Sequence, residues 1–464
     1  MGLNRSYLDG ADVWMDHRRQ AADAMSWGEG VMSRDELGPV SDAALPSMGN
    51  GPPAPAVTGE FPGECRTGLA TEGDDSTGRG KALHIMTLHP SSTPVVPPVA
   101  RSGTRHSLPS RDRPAEAGAK GRTPLSPSWF AAVMGTGIVA DAAAALPRGC
   151  PGLRDAATVI WAGAALLLLG LVIGYARQRK LRVHVADPVV SQFFGAPPMA
   201  LLTVGAGTLL FGRRVIGTHA AVNVDWVLWF TGTALGLATA VTIPYLMITR
   251  HRFEPDAAFG GWLLPVVPPM VSAATGALLV PHAAAGQPRL ALLLSCYAML
   301  GLGMLAVLLV LAMVYSRLVH HETPMGGVVP TVWIGVGALD QAVTALGALS
   351  TAAPSALPGP GARGAEVAAL LGGVGVWGFA LLWLALATAL TVREVRRGLP
   401  FAPTWWSFIF PLGACVTATS ALAALTGAQP FIWGSVGLYG LLVVAWAVVG
   451  WHSLRHAARR KGQA

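Results

Sequence analysis

The chain has 464 residues, of which 52% are hydrophobic and only 12% are charged, about half the charged fraction of a soluble domain. Its net charge of +8 does not indicate a nucleic-acid partner, because Lys and Arg lie in short segments between long apolar runs rather than in one patch. The composition therefore excludes an ordinary soluble domain and predicts a multi-pass protein embedded in a lipid bilayer.

Residues 1–123 precede the first apolar run. They are rich in Gly, Pro, Ser, Ala and charge, and they show no sustained periodicity, which predicts a disordered N-terminal extension. No apolar core of signal-peptide type follows the N-terminal charges. Met86 opens a Pro/Ser/Arg-rich segment that leads into the first apolar run, so we expect residues 1–85 to be dispensable.

Ten apolar runs follow, most of them with the 17 to 25 residues that a helix needs to cross a bilayer. They cover 129–147, 156–176, 196–212, 225–248, 259–281, 290–316, 328–350, 366–392, 405–425 and 430–452. They predict an all-α integral membrane domain of ten transmembrane helices over 124–454, followed by a basic cytoplasmic tail over 455–464.

Lys and Arg are distributed unequally between the two sides of these spans. Twenty fall on one side, in the segments 101–122, 177–182, 250–252, 317, 393–397 and 455–461. Six fall on the other side: Arg148, Arg154, Arg213, Arg214, Arg289 and Arg363. Because positive loops stay in the cytoplasm, we expect both termini there, with the protein in the cell inner (plasma) membrane.

The odd-numbered spans carry most of the helix-disturbing residues. These are Gly135 and Gly137; Pro197, Pro198, Gly205 and Gly207; Pro265, Pro268 and Pro269; Pro330, Gly335 and Gly337; and Pro411 and Gly413. Broken helices are tolerated where they face protein or a water-filled cavity, and small residues let helices approach closely. The pattern predicts five helical hairpins with odd helices inside and even helices outside.

The ninth span carries a distinctive stripe. Phe410, Gly413, Thr417 and Ser420 fall on nearly one helical face, since their offsets are 3, 7 and 10 residues. Pro411 beside them frees a backbone carbonyl and bends the helix. Two interpretations remain open for the stripe itself: a packing kink, or a pore-lining face closed by an aromatic ring.

Five segments together resemble one known family. They are SPSWFAAVMGTGIVA (126–140), FFGAPPMALLTVGAG (193–207), VPTVWIGVG (329–337), VWGFALLWLALA (376–387) and WWSFIFPLG (405–413). They resemble the tellurite-resistance/dicarboxylate transporter family, which groups TehA-type proteins, malate permeases, sulfite exporters and plant slow anion channels. The chain is most similar to the malate-permease branch. The resemblance implies five hairpins around a central pore, trimeric assembly, and a phenylalanine of the ninth helix that occludes the pore.

That phenylalanine maps onto the WWSFIFP segment. Phe410, directly before the proline, is the first candidate for the gate and Phe408 is the second. The sequence departs from the family pattern at Asp340, where malate permeases usually carry a small residue, and at Asp141, late in the first span.

No Lys or Arg occupies the middle of any span, so an anion would meet hydroxyl groups, helix ends and basic mouths instead of arginine forks. Arg213, Arg214 and Arg289 are candidates for attracting anions to the outer mouth, or are ordinary topology charges. The residues that we expect to line the pore are Gly135, Thr136, Gly137, Thr203, Thr344, Gly413, Thr417 and Ser420.

Asp340 lies in the middle of the seventh span. An intramembrane carboxyl group is a candidate functional group, and a proton-linked role is one interpretation. The other is a neutral acid that forms hydrogen bonds to Gln341, a nearby backbone group or water.

No catalytic, cofactor or metal site is predicted. All twelve histidines lie outside the spans or at their ends, and no cluster has metal-ligand spacing. The sequence thus predicts an anion transporter or channel for C4-dicarboxylates such as malate, or for small inorganic anions such as sulfite, tellurite-related oxyanions, nitrate or chloride. The alternatives are a proton-coupled anion carrier that uses Asp340 and, more remotely, a membrane-embedded enzyme or sensor.

Overall fold

A computed structural model describes residues 125–321 and 323–461, and every regular element in these ranges is helical. Helices follow from the apolar runs because backbone N–H and C=O groups in lipid must be satisfied within the segment itself. The predicted extension 1–123 lies outside the described residues. The described part of the predicted tail, up to residue 461, continues the last helix.

We number the helices at the ten predicted spans α1 to α10. They are α1 Phe130–Ala145, α2 Leu153–Gln178, α3 Ala196–Gly207, α4 Thr218–Thr249, α5 Pro268–Leu279, α6 Gln287–His320, α7 Trp333–Ala352, α8 Gly359–Val395, α9 Ile409–Thr426 and α10 Gln429–Lys461. A short helix, Leu181–Ala186, precedes α3. A π-helical turn, Thr208–Gly212, and a final turn, Arg213–Ile216, prolong α3.

Nine segments within the described ranges are long and apolar enough to cross a membrane, and they coincide with nine of the ten predicted spans. The fifth is discontinuous. Helix α5 has 12 residues, or about 18 Å at 1.5 Å per residue, against roughly 30 Å of hydrocarbon. Short 3₁₀ turns at Gly260–Leu263 and Val280–His282 prolong it at both ends, and Pro265 lies in the gap before it.

All five odd-numbered helices are preceded by a 3₁₀ segment, a repeat that the sequence did not reveal. The segments are Pro127–Trp129, Val190–Gly195, Gly260–Leu263, Gly326–Val332 and Pro403–Phe408. Each one contacts the next in this order, and the last contacts the first. Backbones meet directly in this ring of turns, because a Cβ atom on Gly195 would collide with the Leu264 carbonyl oxygen, and one on Gly260 with that of Thr331.

The odd-numbered helices also contact one another in order, α1 with α3, α3 with α5, α5 with α7, α7 with α9, and α9 with α1. Each even-numbered helix packs against the odd helix before it. In the 18-residue apolar stretch of each odd span of full length, between 61% and 78% of the residues are buried, against 17% to 33% in the even spans. In α5 only Leu278 is not fully buried.

The even helices are longer than their apolar runs. Helices α4, α6, α8 and α10 have 32 to 37 residues. Each of them continues into polar turns beyond its apolar run, and a hydropathy count does not include those turns. The start of α1 lies beside the end of α10, because Trp129, directly before α1, and Ala457 of α10 line one surface groove. The two ends of the ten-helix unit therefore lie on the same face.

Candidate functional site

A small cavity lies where the five odd-numbered segments converge. Its volume is about 20 Å³, enough for about one water molecule. Its walls are Ala131 and Met134; Phe193 and Met199; Leu264 and Val267; Ile334, Gly337 and Ala338; and Trp406, Ser407, Phe410 and Pro411. The described residues that line it carry one hydroxyl group and no charge, so an ion that crossed here would first have to displace apolar side chains.

Phe410 forms part of this closure. It lies in the first turn of α9, where the 3₁₀ segment gives way to the α-helix, and only 4% of it is exposed. The next residue, Pro411, packs against Gly337 of α7, where an added Cβ atom would lie 2.8 Å from the Pro411 Cα. This close α7–α9 contact fixes the backbone that carries the Phe410 ring.

Phe408 has different surroundings. Its ring packs edge-on against Trp333 at 5.4 Å and against Trp405 at 6.2 Å, measured between ring centroids. It is half-buried and does not line the cavity. The two candidate gate residues therefore occupy separate sites, although they are two positions apart in the sequence.

The small residues predicted to line a pore are at helix–helix contacts. An added Cβ atom on Gly135 would lie 2.9 Å from the Trp406 ring, and one on Gly137 would lie 2.7 Å from the Thr203 methyl group. Gly413 faces Ile138 in the same way, with 2.5 Å to the nearest carbon. These glycines bring α1, α3 and α9 together around the cavity.

A polar cluster links α7 to α9 beyond the cavity. The Thr344 and Thr417 hydroxyl oxygens are 2.8 Å apart, and the Thr344 hydroxyl also donates to the Asp340 carbonyl at 3.0 Å. The Cys415 thiol donates to the Asp340 Oδ2 atom at 2.8 Å. Thr417 is seven residues after Phe410, which places this cluster about 10 Å further along α9.

Asp340 is almost completely buried, with 2% exposure, and its second carboxyl oxygen has no hydrogen-bond partner. The predicted contact with Gln341 is absent, and Cys415 supplies the only side-chain hydrogen bond to the carboxyl group among the described residues. Ser420, three residues beyond Thr417, is also buried and its hydroxyl has no partner. Unsatisfied buried oxygens are costly, so water or a ligand would stabilise the structure at either residue, and a proton would do so at Asp340.

Two other predicted hydroxyl groups lie apart from this cluster. The Thr136 hydroxyl accepts a hydrogen bond from the Trp446 indole of α10 at 3.2 Å, which turns it toward an outer helix. The Thr203 hydroxyl donates to the carbonyl of Met199, one turn earlier in its own helix, at 2.8 Å.

Sequence reasoning missed most of the cavity wall and one buried acid. Phe193, Met199 and Ile334 look like ordinary apolar residues of membrane helices, although Phe193 precedes a Gly-Ala-Pro-Pro break that could have marked it. Asp225 near the start of α4 is 1% exposed, and neither carboxyl oxygen has a partner. It packs against Gly205 of α3.

Two of the basic residues that the sequence had indicated for an outer mouth, Arg289 and Arg213, donate hydrogen bonds to backbone carbonyls. The Arg289 guanidinium donates to the Pro281 and Ala283 carbonyls at 3.2 and 2.9 Å and to the Ser355 carbonyl at 3.3 Å. It thus ties the end of the α5 segment to the end of α7. The Arg213 side chain donates to the Leu209 carbonyl within the α3 segment at 2.7 Å.

These features define a class: a polytopic α-helical membrane protein whose inner helices meet at a closed apolar constriction beside a buried polar cluster. Such a site has the components of a transport pathway, a barrier to ions and polar groups beyond it.

Comparison with known sequences identifies the family. The chain belongs to the SLAC1 family, described as voltage-dependent anion channel, which matches residues 124–454. This confirms the family resemblance. The protein is thus a member of a family of membrane anion channels and transporters, and transport is the activity that this membership supports.

Individual relatives carry transport names. A sulfite efflux pump, SSU1, of Trichophyton rubrum is 29% identical over 312 residues, covering 64% of this chain and 81% of the relative. The uncharacterized transporter MJ0576 of Methanocaldococcus jannaschii is 28% identical over 330 residues, covering 69% of this chain and 90% of the relative. A second SSU1, from Arthroderma otae, is 28% identical over 341 residues, covering 70% and 88%.

Proposed function

We propose that the protein is an anion channel or transporter whose pore runs between five helical hairpins and is closed by Phe410. One observation carries the proposal: side chains of all five odd-numbered segments meet at one apolar cavity of about 20 Å³. The closed sequence of contacts among α1, α3, α5, α7 and α9 supports a central pore. An apolar ring across a narrow passage excludes ions sterically and by excluding water.

The gate is assigned to Phe410 rather than Phe408 because only Phe410 lines the cavity. Beyond the ring, the Thr344–Thr417 pair offers hydroxyl groups to a passing anion, and Thr344 is partly exposed. Gly135, Gly137 and Gly413 contribute by letting the inner helices converge. Ser420 continues the polar face of α9. Thr136 and Thr203 make hydrogen bonds elsewhere, so they stay unassigned.

Small oxyanions are the proposed substrates, with sulfite first. All three relatives above are named as transport proteins, and two of them are named for sulfite efflux. The described walls of the cavity hold no arginine fork of the kind that binds dicarboxylates tightly. C4-dicarboxylates such as malate remain the alternative, together with tellurite-related oxyanions, nitrate and chloride.

The test is anion flux into liposomes that contain the purified full chain. We expect sulfite to enter faster than malate, and Phe410→Ala to raise flux above the parent, because removing a plug opens a path. Phe408→Ala is the matched control and should leave flux unchanged. If Phe408→Ala opens the pore and a well-folded Phe410→Ala does not, the gate is Phe408. If neither variant changes flux, the plug is disproved.

A proton-coupled carrier is the second candidate, favoured by the unpartnered Asp340 oxygen beside the Thr344–Thr417 pair. A buried carboxyl group that takes up and releases a proton could couple the movement of that proton to the movement of an anion. Asp340→Asn keeps the size and removes the titration, so the variant should transport without responding to an imposed pH gradient. The same pH response in parent and variant would return Asp340 to a structural role.

We also propose that both termini face the cytoplasm of a cell inner (plasma) membrane, as the Lys and Arg asymmetry indicates. Cysteine labelling in the loops after the fifth and eighth spans tests this topology. Gly286 and Gly398 in these loops have φ angles of 86° and 91°, which cysteine rarely adopts. The cysteines are therefore placed at the exposed neighbours Ala285 and Arg397. With the native cysteines replaced, a membrane-impermeant thiol reagent should label Ala285→Cys from outside and not Arg397→Cys. The opposite pattern would invert the topology. Trimeric assembly stays a prediction from the resemblance.

A further inference from the structure

A second cavity lies outside the inner helices, as a groove of about 500 Å³ between α1, α2 and α10. This volume is within the range of roughly 300–1,000 Å³ that is common for ligand pockets. Its walls are Trp129, Ala132 and Thr136; Leu167 and Leu171; Trp406; and Trp446, Ala447, Gly450, Trp451, Ser453, Leu454 and Ala457. Of the residues that line the small cavity at the constriction, only Trp406 also lines this groove.

The groove needs an apolar occupant. The two hydroxyl groups in its walls are both hydrogen-bonded: Thr136 accepts from the Trp446 indole at 3.2 Å, and Ser453 accepts from the Trp406 indole at 3.1 Å. The ring faces and aliphatic side chains that remain include Trp451, 54% exposed, and Leu454, 69% exposed. A polar ligand would find no partner along most of this wall.

Its length matches one leaflet of a bilayer. The α10 wall extends from Trp446 to Ala457, which is roughly 16 Å along the helix and close to half of a hydrocarbon core of about 30 Å. The groove therefore extends from near the middle of the membrane to the face where α1 begins and α10 ends.

That face is positively charged at the groove. The Arg455 guanidinium stacks over the Trp451 ring, 4.5 Å from its centroid, so a cation lies on a residue of the groove wall. Arg459 follows one turn later, and Arg177 occupies the last turn of α2, the opposite wall. Both are exposed. Cations at this depth attract anionic lipid head groups.

We propose that the groove binds one acyl chain of an anionic phospholipid whose phosphate group contacts Arg455. The apolar wall, the leaflet-long groove and the cationic end each match one part of such a lipid. This site is independent of which anion the protein transports and of where the pore gate lies.

Native mass spectrometry of the detergent-solubilised full chain tests the site, with phosphatidylglycerol and phosphatidylcholine of identical acyl chains added in turn. Gly450→Leu places a side chain in the groove, and the open space around Gly450 means that the fold is not disturbed. Gly440→Leu on the same helix is the matched control, since its surroundings are also open and it does not line the groove.

We expect the parent to bind phosphatidylglycerol more tightly, Gly450→Leu to lose both lipids, and Gly440→Leu to behave like the parent. Arg455→Gln should weaken phosphatidylglycerol binding about fivefold, the effect of one cation near the membrane surface, and weaken phosphatidylcholine binding less, because the choline cation offsets the charge of its phosphate group. Arg393→Gln, in the last turn of α8, is its control.

Three results would overturn the proposal. If the parent binds the two lipids equally, the site does not recognise an anionic head group. If Gly450→Leu binds lipid as the parent does, the lipid does not occupy the groove. A changed number of chains per particle in Gly450→Leu, with lipid binding intact, shows that the groove holds a second copy of the chain.

Discussion

In soluble proteins the more hydrophobic segments are the more buried ones, and the inner and outer helices of this protein show the opposite relation. In the 18-residue apolar stretches of α1, α3, α7 and α9, 61% to 78% of the residues are buried, against only 17% to 33% in those of the outer helices. Yet four of the five outer helices, all except α4, have a higher mean hydropathy than any of these inner spans. Hydropathy in this chain therefore indicates contact with lipid, whereas burial goes with small and weakly polar residues.

The physical reason is the solvent. Lipid is as apolar as leucine, so large aliphatic side chains gain little by facing another helix and are placed outside. Inner helices associate through close packing and hydrogen bonds, as at Gly337 with Pro411 and at Thr344 with Thr417. If this explanation is right, equal substitutions should have unequal effects on the two sets of helices.

The largest difference is expected for leucine in place of glycine. Gly337 of α7 touches Pro411, and an added Cβ atom would lie 2.8 Å from its Cα. Gly375 of α8 has no neighbour within 4 Å of that position. Gly337→Leu should lower the free energy of unfolding by about 3 kcal/mol or prevent folding, since backbone cannot yield like a flexible side chain.

Gly375→Leu should be neutral or slightly stabilising, because leucine is the better helix former. Thermal denaturation of both variants in detergent, followed by size-exclusion chromatography, measures the difference. Equal loss of folded protein in the two variants would remove the distinction between inner and outer packing.

A smaller difference is expected for threonine hydroxyl groups. Thr344→Val removes a hydrogen bond between α7 and α9 and should cost about 1 kcal/mol of stability. Thr249→Val, at the exposed end of α4, removes only a bond to the Tyr245 carbonyl of the same helix and should change stability by less than about 0.5 kcal/mol. A larger loss in Thr249→Val would contradict the assignment of the Thr344–Thr417 pair to the core.

The helix-disturbing residues predicted the correct set of buried helices, but not how each one is broken. Proline and glycine in the odd spans indicated irregular helices, and the structure resolves them into five 3₁₀ segments and a divided fifth span. The fifth span was predicted as one apolar run over 259–281 with Pro265 as a helix-disturbing residue, and the structure shows that the helix is interrupted there, because proline lacks a backbone donor.

The sequence alone determined the class of protein, the positions of ten apolar segments, the inner and outer sets and the family, because these depend on composition and on motifs that are local in the chain. Only the tertiary structure decided which polar side chains meet. Thr136 and Thr344 are both hydroxyl residues of inner helices, yet one turns to Trp446 and the other to Thr417. Phe408 and Phe410 are equally aromatic, yet only Phe410 reaches the cavity. Helical periodicity fixes the direction of a side chain relative to its own helix. The rotation of that helix is set by contacts with neighbours distant in sequence, such as Gly337 with Pro411.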